Sequence, residues 1–282
     1  MCAKVLGIVT GAGRGFGKCV ALELGKRLSP ECGMVLIGRD LSKLNQTRAE
    51  ILESTSLKVR CVPADLSDLD TLEHTVSDAL EGSSEYLRGV LINNAGSLGP
   101  LGRVGSPHVF TRDGSLNTFK KAIDLNITSC FWFSNEFSRT FVNKSSSSSE
   151  HGLDQEDRQP SVIVNVSSLA AVAPLASWST YCAGKSARNM FHKVIALENG
   201  PGAGIKTLNY APGPMDTDML DEALASACTD STIRESYSSL KKEGKLQDPM
   251  VSAKVCVDYA MGTGKDYPSG GHVDVFSKTK DW

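Results

Sequence analysis

The chain has 282 residues, 40% of them hydrophobic, enough to bury a sizeable core in one large α/β domain. With 30 basic and 32 acidic residues the formal charge is -2, which gives no electrostatic footprint for nucleic acid or an anionic membrane and points to a small-molecule ligand. The 8 cysteines are irregularly spaced without a Cys-x-x-Cys and no run of about 18 apolar residues occurs, so a zinc site, a disulfide framework and a membrane span are not expected, and reduced thiols in the cytoplasm are.

Val5 to Val9 is a short β-branched run that ends at once in Thr10-Gly11-Ala12-Gly13-Arg14-Gly15-Phe16-Gly17, after which Val20, Leu24 and Leu28 recur at helical spacing. Strand, glycine turn and helix form the order in which backbone amides and a helix dipole receive a pyrophosphate. The alternation continues with a strand over 34–37, a helix over 41–52, a strand over 58–62, a helix over 69–80 and a strand over 90–93. It predicts an α/β fold, a doubly wound parallel sheet of about seven strands flanked by helices, of Rossmann type. Functional loops then follow the carboxyl ends of strands, where Gly38-Arg39-Asp40, Ala64-Asp65-Leu66 and Asn93-Asn94-Ala95-Gly96 fall.

A long helix is predicted from about Leu116 to Val142, carrying Asn126 and the aromatic set Phe131, Trp132, Phe133, Phe137 and Phe141. These rings fit either packing on the sheet or contact with a second subunit, and a homodimer is the expectation. Residues 144–159, with a run of serines, read as a flexible surface insert at the amino edge of the sheet, away from the chemistry. A strand over 162–166 then leads into Ser167-Ser168, and a helix from Trp178 to Glu198 follows. A strand over 205–209 runs on to Pro212-Gly213-Pro214-Met215-Asp216-Thr217, and residues 216–247 read as a helix-prone cover over the site. A last helix starts at Pro249, and Gly270 to Phe276 supplies a final strand. No repeat or linker divides the chain, so residues 1–282 are expected to form a single domain.

Tyr181 and Lys185 lie four apart and so share one helix face. An ammonium beside a phenol favours the phenolate, which would draw the tyrosine pKa down from about 10 toward working pH. Alone, that spacing is common and its tyrosine is usually packing; singly, Ser168 reads as a turn serine and Asn126 as a helix-bend residue. Arg39 suits a 2′-phosphate, whereas Asp40, which follows Gly17 by 23 positions, stands near the interval of a ribose-binding acid. Arg14 in the glycine turn is a second cation, and NADPH is preferred.

Thr10-Gly11-x-x-x-Gly15-x-Gly17, Asn93-Asn94-Ala95-Gly96, Asn126, Ser168, Tyr181-x-x-x-Lys185 and Pro212-Gly213, in this order and at these intervals, resemble the short-chain dehydrogenase/reductase family over nearly the whole chain. The resemblance implies an NADPH-dependent oxidoreductase that reduces a ketone. Tyr181 would be the proton donor, Lys185 would bind the nicotinamide ribose and keep the tyrosine acidic, Ser168 would donate to the growing alkoxide, and Asn126 would hold a water leading to Lys185. It further implies cofactor contacts at Gly11, Gly13, Arg14, Gly15, Phe16, Gly17, Arg39, Asn93, Ala95, Gly96, Pro212 and Gly213, with Asp65 and Leu66 at the adenine and Thr217 at the carboxamide; no metal is implied. Gly13 departs from the serine of many NADPH-dependent members. Residues 14–17, 93–99, 181–185, 208–213 and Gly271-His272-Val273-Asp274 resemble, more narrowly, members that reduce pterin side-chain ketones in tetrahydrobiopterin synthesis. That likeness implies that the Asp274 carboxylate accepts the adjacent N–H donors of a pterin edge, with Ser168 and Tyr181 at the ketone. A broad carbonyl or dicarbonyl reductase, and a non-catalytic NADPH-binding regulator, are the rival readings.

Overall fold

Short apolar runs bounded by turns become the seven strands of the computed structural model, which describes residues 4–106, 115–142, 159–200, 204–264 and 266–276. They are β1 (Val5–Thr10), β2 (Gly33–Gly38), β3 (Lys58–Pro63), β4 (Arg88–Asn93), β5 (Ser161–Val166), β6 (Ile205–Ala211) and β7 (His272–Asp274). All pair in parallel in the order β3-β2-β1-β4-β5-β6-β7. The central strands β1, β4 and β5 are buried along their whole length because helices cover both faces, whereas edge strand β3 is largely half-exposed.

The helices are α1 (Gly15–Arg27), α2 (Leu41–Leu52), α3 (Leu69–Leu80), α4 (Ser115–Ile123), α5 (Ser129–Phe141), α6 (Ser179–Asn199), α7 (Asp218–Ala225), α8 (Ser231–Lys242) and α9 (Pro249–Met261). One face of the sheet packs Val9, Leu36, Ile92 and Leu208 under α1 and α9, through Leu24 and Val257. The other packs Ile8, Leu91 and Ile163 under α3, α5 and α6, through Val76, Phe137 and Ile195. The chain winds outward from β1 to β3, then returns to β4 on the other side of β1. That reversal opens a crevice at the carboxyl ends of β1 and β4.

Three sequence expectations are refined. The helix over 116–142 is interrupted by a π-helical segment, Asp124–Thr128, which separates α4 from α5 and contains Asn126. Of its aromatic set, Phe133, Phe137 and Phe141 are buried against the sheet, Phe131 stacks on Phe191 with ring centroids 3.9 Å apart, and Trp132 faces outward. The last strand is shorter than Gly270 to Phe276 because the Phe276 amide donates back to Asp274 Oδ1 at 2.9 Å and turns the backbone away. Residues 144–158 of the serine-rich segment lie outside the described residues.

Gly89 in β4 has no room for a side chain: a Cβ there would stand 2.6 Å from two ring carbons of Phe137. Gly89→Ala is expected to lower stability by about 1–3 kcal/mol through forced repacking, read as a shifted midpoint in urea unfolding.

Candidate active site

The glycine turn is built to admit a ligand's phosphate. Gly11 has φ +69, and a Cβ on Gly17 would lie 2.2 Å from the Gly11 carbonyl oxygen, so neither position tolerates another residue. Helix α1 begins with no acidic residue in its first turn and no side-chain cap, leaving its first amides for an anion. Thr10 Oγ1 accepts from the Asn94 and Ala95 amides at 2.9 and 3.0 Å, and Asn94 Nδ2 donates to the Thr10 carbonyl at 2.9 Å. These bonds lock the turn to the loop after β4. This fit between an uncapped helix start, a close-packed backbone and nearby cations suits the diphosphate of a nicotinamide dinucleotide.

The two cations of the sequence reading have distinct settings. Arg39 is exposed and acts on Asp65, whose carboxyl burial pushes up but whose Ser67 hydrogen bonds and the Arg39 and Lys121 charges hold below its ordinary value. Arg14 pairs with Asp218 of α7 at 2.6 Å, with both partners largely exposed. Asp40 is the N-cap of α2, its Oδ1 accepting the Lys43 amide at 3.2 Å. A serine in place of Gly13 would set its Cβ 3.2 Å from Lys43 Cβ, so tight packing against α2 accounts for the glycine. Leu66 is buried beneath β3, and Phe16 is buried with its ring stacked 6.3 Å from that of Tyr210.

Ser168 follows β5 and Tyr181 opens α6, and the structure brings them together. Ser168 Oγ accepts the Ala170 amide at 3.1 Å, which leaves its proton free to donate elsewhere. The Tyr181 side chain is buried, and burial pushes its pKa up to about 12, against the opposing pull of the Ser168 hydrogen bond and the Arg188 charge. Trp178 packs edge-on to the Tyr181 ring at 5.8 Å and stacks on Tyr237 of α8 at 5.7 Å, so α8 reaches the tyrosine through one intervening ring. Lys185 is buried beside it, with Nζ 5.5 Å from the phenol ring centre and donating to the Val166 carbonyl. Burial, then the Arg188 charge, holds the Lys185 pKa well below its ordinary value.

The expectation that Lys185 draws the phenol down toward working pH is therefore corrected. Helical spacing places the pair side by side, but both enter a medium that disfavours the charged forms, and burial is the largest influence on the phenol.

Asn126 uses its side chain fully on one loop: Nδ2 donates to the Ser97 carbonyl at 2.9 Å and Oδ1 accepts the Ser97 amide at 3.0 Å. It also backs onto α6, since a Cβ on Gly184 would sit 3.2 Å from its own Cβ. Gly96 lies on the same side, whereas the Asn93 side chain turns inward and donates to Ser134 Oγ at 2.8 Å. Pro212, Gly213 and Thr217 line the exit of β6: Pro212 accepts Ser252 Oγ at 2.9 Å, and Gly213, at φ +81, lies under Phe276. Asp274 ends β7 half-buried, paired in register with Ala211.

Sequence reading missed Asn165, Asn189, Asn209 and Arg188, which lie behind this surface. Asn93, Asn165, Asn209 and His272 stand in register on β4, β5, β6 and β7. Asn165 Nδ2 donates to Asn209 Oδ1 at 2.8 Å and to Asn189 Oδ1 at 3.1 Å, and Asn189 Nδ2 meets His272 Nδ1 at 3.0 Å. Arg188, wholly buried, closes the row from α6. An asparagine near the end of each of three apolar strands was the available signal. Among the described residues no group of His, Cys, Asp or Glu is placed to hold a metal, and no helix is long and apolar enough to cross a membrane.

Residues 6–227 match the family model for short chain dehydrogenase. The chain is 33% identical to the sepiapterin reductase of Xenopus laevis over 97% of this chain and 96% of that one, and 32% identical to that of Bos taurus over 98% and 96%. It is 26% identical to a benzil reductase ((S)-benzoin forming) of Bacillus subtilis (strain 168), over 86% and 87%. Among solved structures, a short-chain dehydrogenase/reductase from Saccharomyces cerevisiae superposes with a TM-score of 0.77 at 23% identity over 98% and 97% of the chains. A 3-ketoacyl-(acyl-carrier-protein) reductase from Brucella melitensis, complexed with NADH, does so at 0.72 and 22% over 96% of each. With the sheet order, the glycine turn and the Ser168–Tyr181–Lys185 cluster in place, the chain belongs to the short-chain dehydrogenase family, oxidoreductases that work with a nicotinamide cofactor.

Proposed function

We propose that this enzyme is an NADPH-dependent reductase of side-chain ketones on pterins, of the sepiapterin and 6-pyruvoyl-tetrahydropterin type, acting in tetrahydrobiopterin synthesis in the cytoplasm. The observation that carries the reading is the buried Tyr181 phenol, held protonated by its surroundings and met by the Ser168 hydroxyl at the carboxyl edge of the sheet. Likeness to sepiapterin reductases over nearly the full chain supports the substrate class. The likeness to a benzil reductase favours, as a second reading, a broader dicarbonyl reductase with the same chemistry.

Held by the glycine turn and Lys185, NADPH would supply the hydride that converts the ketone carbon to a carbinol carbon. Tyr181 gives its O–H proton to the carbonyl oxygen, so that alcohol and phenolate result and solvent restores the phenol. Ser168 donates a hydrogen bond to the same oxygen as charge grows on it. Lys185 anchors α6 to β5 through Val166 and presents its remaining hydrogens to the ribose hydroxyls. With the Asn126 side chain committed to Ser97, the task of holding a water falls to its main-chain carbonyl.

Gly11, Gly13, Gly15, Phe16 and Gly17 form the phosphate-side wall, and Arg14 and Arg39 serve the 2′-phosphate. Capping of α2 by Asp40 supports this choice, because the carboxylate that would have selected a free 2′-hydroxyl is engaged with the helix. Asp65 and Leu66 flank the adenine, Ala95, Gly96, Pro212, Gly213 and Thr217 the nicotinamide half, with Asn93 placing that loop. A single domain over residues 1–282 carries the site, segment 216–247 covers it, and Asp274 anchors the pterin edge. A homodimer would bury the outward Trp132 of α5 with Met190, Val194 and Leu197 of α6, which expose 36%, 60%, 40% and 82% of their surface.

Tyr181→Phe is expected to cut NADPH oxidation with sepiapterin by at least about 100-fold; an unchanged rate would exclude this route. With the acid's pKa raised to about 12 in the free protein, Tyr181 is protonated across neutral pH, so its contribution to ketone reduction is level there and declines only as pH rises toward that value. Alcohol oxidation, which needs the phenolate, gains over the same range. Asp274→Ala should raise KM for sepiapterin at least about tenfold and leave a small diketone nearly untouched; equal effects on both would remove the anchor. Arg39→Ala is expected to weaken NADPH binding by about tenfold or more with NADH unaffected, as followed by quenching of protein fluorescence.

A further inference from the structure

Arg14 stands at a fork in the crevice. A Cβ on Gly13, the residue before it, would lie 3.2 Å from Lys43 Cβ in the first turn of α2, whereas one on Gly15, the residue after it, would lie 3.9 Å from Thr217 Cγ2 at the cap of α7. The α2 bank carries Arg39, the exposed cation just ahead of the Asp40 cap. The Arg14 side chain is turned to the other bank, where Nη1 donates to Asp218 Oδ2 at 2.6 Å. Strand β1, which leads to Arg14, and β6, which leads to Asp218, stand three places apart in the sheet, so this ion pair reaches across the carboxyl ends of β4 and β5. Asp216 and Asp221, on either side of Asp218, are both held by Lys241, at 2.7 and 2.6 Å, which leaves Arg14 as the partner of Asp218.

Resting on the NADPH reading above, we propose that Asp218 is a specificity-determining residue for the cofactor: its carboxylate competes with the 2′-phosphate for Arg14 and thereby sets how far NADPH is preferred to NADH. A phosphate monoester carries about 1.5–2 negative charges and three acceptor oxygens, so it takes the guanidinium fork from a single carboxylate. The pair in place is weak enough to exchange, because Arg14 exposes 58% and Asp218 70% of the side chain and water screens charges so placed. Arg14 is also the N-cap of α1, with extended backbone and no side-chain cap bond, so the helix does not fix the direction of its side chain. Recruiting Arg14 to the α2 bank costs the bond to Asp218. NADH has a hydroxyl in place of that phosphate and leaves the pair intact. Discrimination between the two cofactors is a difference of affinities, and Asp218 subtracts from one of them alone.

The test measures binding of adenosine 2′,5′-bisphosphate and of 5′-AMP by calorimetry, and of NADPH and NADH by fluorescence quenching, on the purified full chain. Asp218→Asn is expected to tighten the bisphosphate and NADPH by about two- to fivefold, the worth of one exposed ion pair, and to leave 5′-AMP and NADH unchanged. Asp218→Ser, a second neutral variant, should do the same, and Asp218→Glu, which keeps the charge, should stay near the parent. The gain must also depend on Arg14, so Asp218→Asn added to Arg14→Met should change nothing further. Tightening that persists in the Arg14→Met background would show plain repulsion between Asp218 and the phosphate, and would overturn the proposal. So would weaker binding of all four ligands in a neutral variant that melts like the parent, since the pair would then be a clasp over the cofactor, and so would no change at all. A parent enzyme that binds the bisphosphate no better than 5′-AMP would defeat the NADPH reading itself, whatever the Asp218 variants do.

Discussion

A polar side chain buried in a sheet has to find its partner among atoms that the sheet itself has already placed, and here that constraint falls on the last residues of β4 to β7. Asn93 meets it through Ser134 of α5, whereas Asn165, Asn209 and His272 meet it by standing in register, each within reach of the next strand or of α6. Helix α6 cannot slide along this row without leaving several amides unpaired, and each unpaired amide costs about 1–3 kcal/mol. The placement of Tyr181 and Lys185 therefore follows from asparagines buried behind them. The same row reaches His272, two residues before Asp274.

Helices α7 and α8 obey a looser rule. Arg14 meets Asp218, and Lys241 joins Asp216 to Asp221, but these pairs are largely exposed, and water screens them. Among the described residues, the stack of Tyr237 on Trp178 is the aromatic link between α8 and the surroundings of Tyr181. Weakly latched helices over a firmly bonded sheet edge would let α7 and α8 shift while Tyr181 stays fixed.

Most of the architecture was legible in the chain. Apolar runs alternating with helical periodicity lead to a parallel sheet, and Gly11 to Gly17 after β1 lead to the phosphate turn, because both patterns reflect backbone geometry that few residues satisfy. Burial was not legible. Spacing sets Tyr181 beside Lys185 but says nothing of the medium around them, whose low polarity pushes the phenol up and the ammonium down. Asp40 shows the same limit: an interval counted along the chain suggested a ribose ligand, whereas the cap it forms depends on a backbone turn visible only in three dimensions. The π-helical segment escaped notice because one extra residue in a helix leaves its apolar periodicity nearly unchanged. Arg188 reads as an ordinary helix arginine until its fork is seen among carbonyls.

Neighbouring strands lie at a fixed spacing, and Asp274 ends the second strand over from the one that delivers Ser168. Two such steps span about 10 Å. On the proposed anchoring of the substrate at Asp274, the sheet would serve as a ruler: a molecule held there would offer to Ser168 and Tyr181 only a carbonyl carried at that distance. Selection by length would then come from strand spacing rather than from any one side chain of the pocket.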